Sequence, residues 1–204
     1  MAEYVLPWSI FAMARCNRWS DILASARPAD STPSTLAFWH YARGLASVAG
    51  GDLEAARNER MALVDAKSQI AADFMLNLNR AQDLLSIAES VLDGRIAGAS
   101  EDTNAAVRHW RKAVDLQDRL VYDEPPAWYY PVRESLGGEY LRTRRYADAE
   151  KVFRRDLEIN PNNPRSLFGL AEALRAQSKK ADEVDRQFET VWKNSGVLLS
   201  VDSL

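Results

Sequence analysis

The sequence predicts an all-α protein, a right-handed α-solenoid of about five helix pairs. Three observations carry the prediction. Apolar residues recur at helical spacing over most of the 204 residues. Ala, Leu, Arg, Glu and Asp are abundant while Val and Ile are sparse, a balance that favours helix. Helix–turn–helix patterns return along the chain at an interval of roughly 34 residues, as stacked repeat units require.

Taken in order, the first unit spans 3–36, with Trp19 as the aromatic of its turn. Pro28 cuts its second helix short, and Ser31, Thr32, Pro33 and Ser34 read as a loop, so this pair is expected to pack loosely. The second unit spans 37–70. Gly44 takes the small position of its first helix and Ala56 that of its second, with the turn at Gly51-Asp52-Leu53. The third unit, 71–120, is stretched. Residues 70–92 read as one long helix with Phe74, Leu78, Ala81, Leu85, Ala88 and Leu92 on one face. Residues 93–100 (DGRIAGAS) read as a loop, and Ser100 as the cap of a helix carrying Ala106, Trp110 and Ala113. An insertion follows at 121–129.

The fourth unit, 130–163, is the clearest. Pro131 suits the first turn of a helix, where its missing N–H costs nothing. Val132, Leu136, Tyr140 and Leu141 form one apolar stripe, and the polar run Arg142-Thr143-Arg144-Arg145 turns the chain. Ala149, Val152, Phe153, Leu157 and Ile159 form a second stripe. Small Gly137 and Ala149 let the two helices cross closely, with Tyr140 and Phe153 filling the space beside them. Asn160-Pro161-Asn162-Asn163-Pro164 stops the second helix. The fifth unit, 164–195, carries Leu167, Leu170, Ala171 and Leu174, then Ala181, Val184, Phe188 and Trp192. Residues 196–204 are apolar and are expected to fold back as a cap over the last helix.

In the fourth unit Leu136, Gly137, Tyr140, Tyr146, Ala149, Phe153 and Pro161 stand where the tetratricopeptide (TPR) pattern wants those residue types, so the stretch resembles one TPR unit. The resemblance extends over nearly the whole chain, most closely at 37–70 and 130–175. The stretch YDEPPAWYYPVRESLGGEYL, followed by RRYADAEKVF, is similar to the C-terminal part of bacterial multi-TPR proteins of unassigned biochemistry. More repeats usually precede that part, and this chain begins inside a helical pattern, so the expectation is a naturally short or truncated relative. The histidine-bearing motif of the upstream repeats is absent, and no metal role comes across with the resemblance.

What the resemblance implies is a concave groove, lined by the first helix of each unit, that holds a peptide or protein segment. The groove positions carry over to Tyr41, Leu45 and Val48, to Glu134, Gly138 and Leu141, and to Arg165, Phe168, Glu172 and Arg175. The lysine–asparagine clamp that some TPR domains use for a terminal carboxylate is missing, since Glu134 and Gly138 take its places. Trp128 and Tyr129, beside the stiff Pro125-Pro126, read either as an aromatic lip on the groove or as core filling the gap left by the insertion. In the second reading Asp123 or Glu124 pairs with Arg133. Phe168 between Arg165 and Arg175 suits an acidic segment with one apolar residue, or else Phe168 packs under the next helix.

Composition narrows the classes. An apolar fraction of 47% builds a core. A formal net charge of −3 argues against a dedicated nucleic-acid binder. The basic run Arg142, Arg144, Arg145, Lys151, Arg154 and Arg155 reads either as a patch for an acidic partner or RNA or, more commonly, as a solvated face with Glu150 and Asp156 nearby. Cys16 is the only cysteine, so no internal disulfide or thiolate cluster forms. His40 and His109 are isolated, and Glu3 and Asp30 are not placed near His40 by any pattern. No apolar run reaches the roughly 20 residues of a membrane span, and no basic segment precedes the N-terminal apolar stretch. No nucleophile elbow or phosphate loop occurs. The expectation is a cytoplasmic, non-enzymatic protein-interaction module without cofactor or metal. The alternative is a structural or self-associating scaffold domain, a homodimer among its forms. An enzyme would need a site within 122–133.

Overall fold

The computed structural model describes residues 7–28 and 32–204; Glu3, Asp30 and Ser31 lie outside them. It is all-helical apart from one short hairpin, with ten α-helices among the described residues. The chain divides into two compact units, Met1–Tyr130 and Pro131–Leu204.

The first unit holds α1 (Pro7–Arg15), α2 (Trp19–Ala24), α3 (Pro33–Ala49), α4 (Leu53–Ser68), α5 (Ala81–Ala99) and α6 (Thr103–Gln117). Consecutive helices form hairpins, and α3 packs on both α1 and α5. Helix α3 begins four residues earlier than the sequence suggests. Thr32 accepts from the Thr35 N–H and Pro33 takes the first turn, so Pro33 and Ser34 are helix and not loop. The α1–α2 pair is short, yet Phe11 and Ile22 are buried, so it is firmly seated rather than loose.

The third helix pair departs most from expectation. Residues 70–80 are not helical. Met75–Leu76 (β1) and Asn79–Arg80 (β2) pair antiparallel, with Asn77 at φ 55° in the turn. Phe74 and Leu78 are therefore exposed instead of lining a helix face. Helix α5 then runs through the glycine-rich stretch expected to be a loop. Two contacts hold that stretch in helix. Asp93 accepts from Arg60 of α4 at 2.9 Å, and Gly94 lies under the Trp110 ring, where a Cβ would stand 2.9 Å from a ring carbon. Burial thus outweighs the weak helix preference of glycine. The cap of α6 is Asp102, accepting from the Ala105 N–H at 2.9 Å, not Ser100, which ends α5.

The second unit holds α7 (Arg133–Arg142), α8 (Tyr146–Ile159), α9 (Pro164–Ala176), α10 (Asp182–Trp192) and a 3₁₀ turn at Val201–Ser203. Helix α7 packs on α8 and α9, α8 on α9, and α9 on α10. Pro131 lies just outside α7, and its carbonyl accepts from the Glu134 N–H at 3.0 Å in the entering turn. The Phe153 ring sits between two glycines. A Cβ on Gly137 would stand 2.4 Å from its Cζ, and one on Gly169 2.2 Å. The partner of Gly137 is therefore the Phe153 ring rather than Ala149, and the bare glycines let α7 and α9 close on α8. A buried polar cluster fastens the same three helices. Asp156 accepts from Ser166 at 2.5 Å and Asn163 at 2.7 Å, while Asn163 also donates to Glu134 at 3.0 Å. Every carboxylate oxygen in this cluster that is so engaged avoids the cost of an unpaired buried charge.

Candidate peptide-binding face

In the first unit the expected groove residues are mostly core. Tyr41 and Leu45 are buried and Val48 is half-buried. The Tyr41 hydroxyl meets that of Tyr129 at 3.0 Å, and the Tyr129 ring stacks on Phe11 with centroids 4.6 Å apart. Burial first, and then neighbouring Tyr129 and Tyr130, push the Tyr41 phenol well above its ordinary value, so it stays neutral. Trp128 is buried among Phe11, Tyr41 and Tyr130. Trp128 and Tyr129 therefore fill space inside this unit and form no lip, while Tyr122 of the same insertion is exposed.

The insertion is pinned by the hairpin. The Asn79 side chain accepts from the Val121 N–H at 2.8 Å and donates to the Val121 carbonyl at 3.0 Å, copying a strand pair. Asn77 donates to buried Asp123 at 2.5 Å, and Glu124 accepts from Tyr122. His40 is placed 2.6 Å from Glu59, which also accepts from Arg43 at 2.6 Å. Among the described residues no group of three or more His, Cys, Asp and Glu is placed to hold a metal ion, and no helix is long and apolar enough to cross a membrane.

In the second unit a surface emerges on α7 and α9, and it carries a segment of chain. Of the expected cap 196–204, Val197 accepts from Trp192 of α10 at 2.7 Å, while residues 201–204 lie against α7. Leu204 is 2% exposed and seated on Gly138, where a Cβ would stand 2.7 Å from the leucine Cβ. Three side chains donate to the segment's main-chain oxygens. Arg142 reaches Val201 at 3.1 Å, Arg165 reaches Ser203 at 2.5 Å, and Ser135 reaches Leu204 at 3.2 Å. Helical spacing explains the set: Ser135, Gly138 and Arg142 follow one another at three and four residues, so they line one face of α7.

Other expected positions fall beside this seat. Glu134 is buried and held by Asn163, and Leu141 is buried in the core. Phe168 packs on Phe188 of α10 with centroids 5.9 Å apart, the packing alternative read from the sequence. Arg175 donates to Glu172 at 2.6 Å and to Asp185 at 2.5 Å, so the carboxylate partner it was expected to find in a ligand is supplied by its own unit. Four of the six residues of the basic run have carboxylate partners, Arg142 on Glu139, Arg145 on Asp148, Arg154 on Glu150 and Arg155 on Glu158. Sequence reading named Gly138 and Arg165 but missed Ser135 and Arg142 as donors, and it gave Leu204 no role beyond a cap. Their helical spacing with Gly138 was the available signal.

No protein-family model matches the chain, and neither the curated proteins nor the solved structures give a match.

Proposed function

We propose that this chain is a TPR-type protein-interaction module, non-enzymatic and cytoplasmic, whose α7–α9 face holds a short segment of another protein. The single observation behind this reading is the seat itself. Ser135, Arg142 and Arg165 aim hydrogen-bond donors at main-chain oxygens over a glycine that leaves room for one apolar side chain. Main-chain recognition plus one pocket is how extended and turn-forming peptides are commonly held. The helix hairpins, and the close approach of α7 and α9 through Gly137 and Gly169, support the TPR-type architecture. We extend the right-handed solenoid to the chain on the same basis.

The test is selection of peptides from a random displayed library on the wild-type chain, with counter-selection on the Arg165→Glu chain. The reading expects a recurrent short motif whose binding is lost on Arg165→Glu. No enriched motif, or a motif indifferent to that substitution, would reject this face as the site.

A second reading, self-association, draws on α10. None of its residues is buried, and Val184, Phe188, Val191 and Trp192 leave apolar surface partly uncovered. Concentration-dependent light scattering that vanished on Trp192→Ser would favour it.

A further inference from the structure

We infer that residues 201–204 are an intramolecular ligand of the α7–α9 face: they hold the seat an outside segment must enter, and they display the chemistry that segment must carry. The inference rests on reading this face as a peptide seat. Ser135, Arg142 and Arg165 each donate to a main-chain oxygen of the segment. They accept any segment that folds into the same turn, whatever its side chains.

Selection falls on one side chain. Leu204 is buried, Val201 and Ser203 are half-buried, and Asp202 faces out. At Gly138 a Cβ would stand 2.7 Å from the Leu204 Cβ and 3.2 Å from its carbonyl carbon, so the seat exists only because that residue is glycine. The matching ligand is a single 3₁₀ turn with a leucine-sized apolar residue in its fourth position. It carries a small residue before the leucine and a polar residue in the outward position before that. In this chain the turn is reinforced by Ser200 and Ser203. The Ser200 N–H donates to the Ser203 hydroxyl at 3.1 Å, and that hydroxyl donates to the Ser200 carbonyl at 2.6 Å.

The segment is tied to α10 by residues 193–200, which carry no regular structure beyond a turn and include Leu198 at 96% exposure. A tether this short holds the segment at an effective concentration on the order of millimolar. An outside peptide of the same intrinsic affinity, with a Kd well below that concentration, meets a seat that is free only a small fraction of the time, and its apparent affinity falls by that fraction.

The test uses the full chain and one probe, the fluorescein-labelled peptide Ser-Val-Asp-Ser-Leu, followed by fluorescence anisotropy. Leu204→Asp removes the internal ligand's anchor and leaves the seat intact. This variant should bind the probe at least about tenfold more tightly than wild type, and adding Gly138→Ala should abolish that binding. In the otherwise wild-type chain, Gly138→Ala should release the segment, raising hydrogen exchange at the Ser203 and Leu204 amides. Equal probe binding by wild type and Leu204→Asp, or none by either, would overturn the inference, as would unchanged exchange in the Gly138→Ala chain. Library-selected peptides that bind both chains alike would also overturn it, while leaving the face's role as a peptide seat standing.

Discussion

Phe153 sets how closely α7 and α9 can approach α8, because its ring touches the bare backbone of both Gly137 and Gly169. Gly137→Leu has nowhere to place even its Cβ, and this overpacking should cost about 1–3 kcal/mol. A thermal melt should show a midpoint lowered by several degrees; an unchanged midpoint would contradict this packing. Glu150 makes a different kind of statement. It accepts from Lys179 at 2.6 Å, from Gln177 at 3.0 Å and from Arg154 at 3.0 Å. Lys179 first, then Arg154 and Gln177, hold its carboxyl down at about 2, below the ordinary 4.5. A depressed folded-state value means the stabilisation is present above the ordinary value and is lost as pH falls from about 5 toward 2. Lys179 and Arg154 are about half exposed, so screening keeps the net contribution near 1 kcal/mol. Glu150→Gln should lower the urea midpoint at pH 7 and leave it unchanged near pH 2; an equal loss at both values would contradict the pairing. At this scale the sequence was informative where a residue type has one common use. Gly137 was legible as a close-approach position, but that Phe153 serves two glycines at once depends on a helix crossing that no local pattern encodes.

Among the elements, helix existence was legible and the identity of irregular stretches was not. The fourth and fifth helix pairs fall where the apolar stripes and Pro161 and Pro164 put them. The third pair was misread for two physical reasons. Alternating Phe74, Leu78 and Ala81 fit a helical face, but the Asn77 and Asn79 side chains find better partners in Asp123 and the Val121 main chain, and these lie more than 40 residues away. Conversely, DGRIAGA carries turn residues, but Asp93 and Gly94 each have a tertiary partner that rewards helix. Both errors come from side chains satisfied by distant sequence, which a window of a few turns cannot see. The aromatic run of the insertion could be read as lip or core from composition, and the Phe11 and Tyr41 contacts decide for core. Of the stretch 196–204 expected to fold back over the last helix, Val197 accepts from Trp192 at 2.7 Å, but the seating of Leu204 on Gly138 was not legible, because it joins residues with no shared periodicity.

At the scale of the molecule, the two units use their helix hairpins differently. The unit Met1–Tyr130 spends its aromatic residues on a closed interior, with Tyr41, Leu45 and Trp128 buried. The unit Pro131–Leu204 keeps an open seat on α7 and α9, and a piece of chain fills it. The seat was half legible: the groove register inherited from the TPR resemblance picked out Gly138 and Arg165, while the occupant was not foreseeable. This face holds a chain segment through its main chain and one leucine side chain. The most direct measurement is the nuclear Overhauser contact between the methyl groups of isotopically labelled Leu204 and the α protons of Gly138, recorded at low protein concentration. The contact should be present, and excess unlabelled Ser-Val-Asp-Ser-Leu peptide should abolish it, with the Leu204 methyl signals moving to free-chain positions. Absence of the contact, with Leu204 already at those positions before any peptide is added, would overturn this seating.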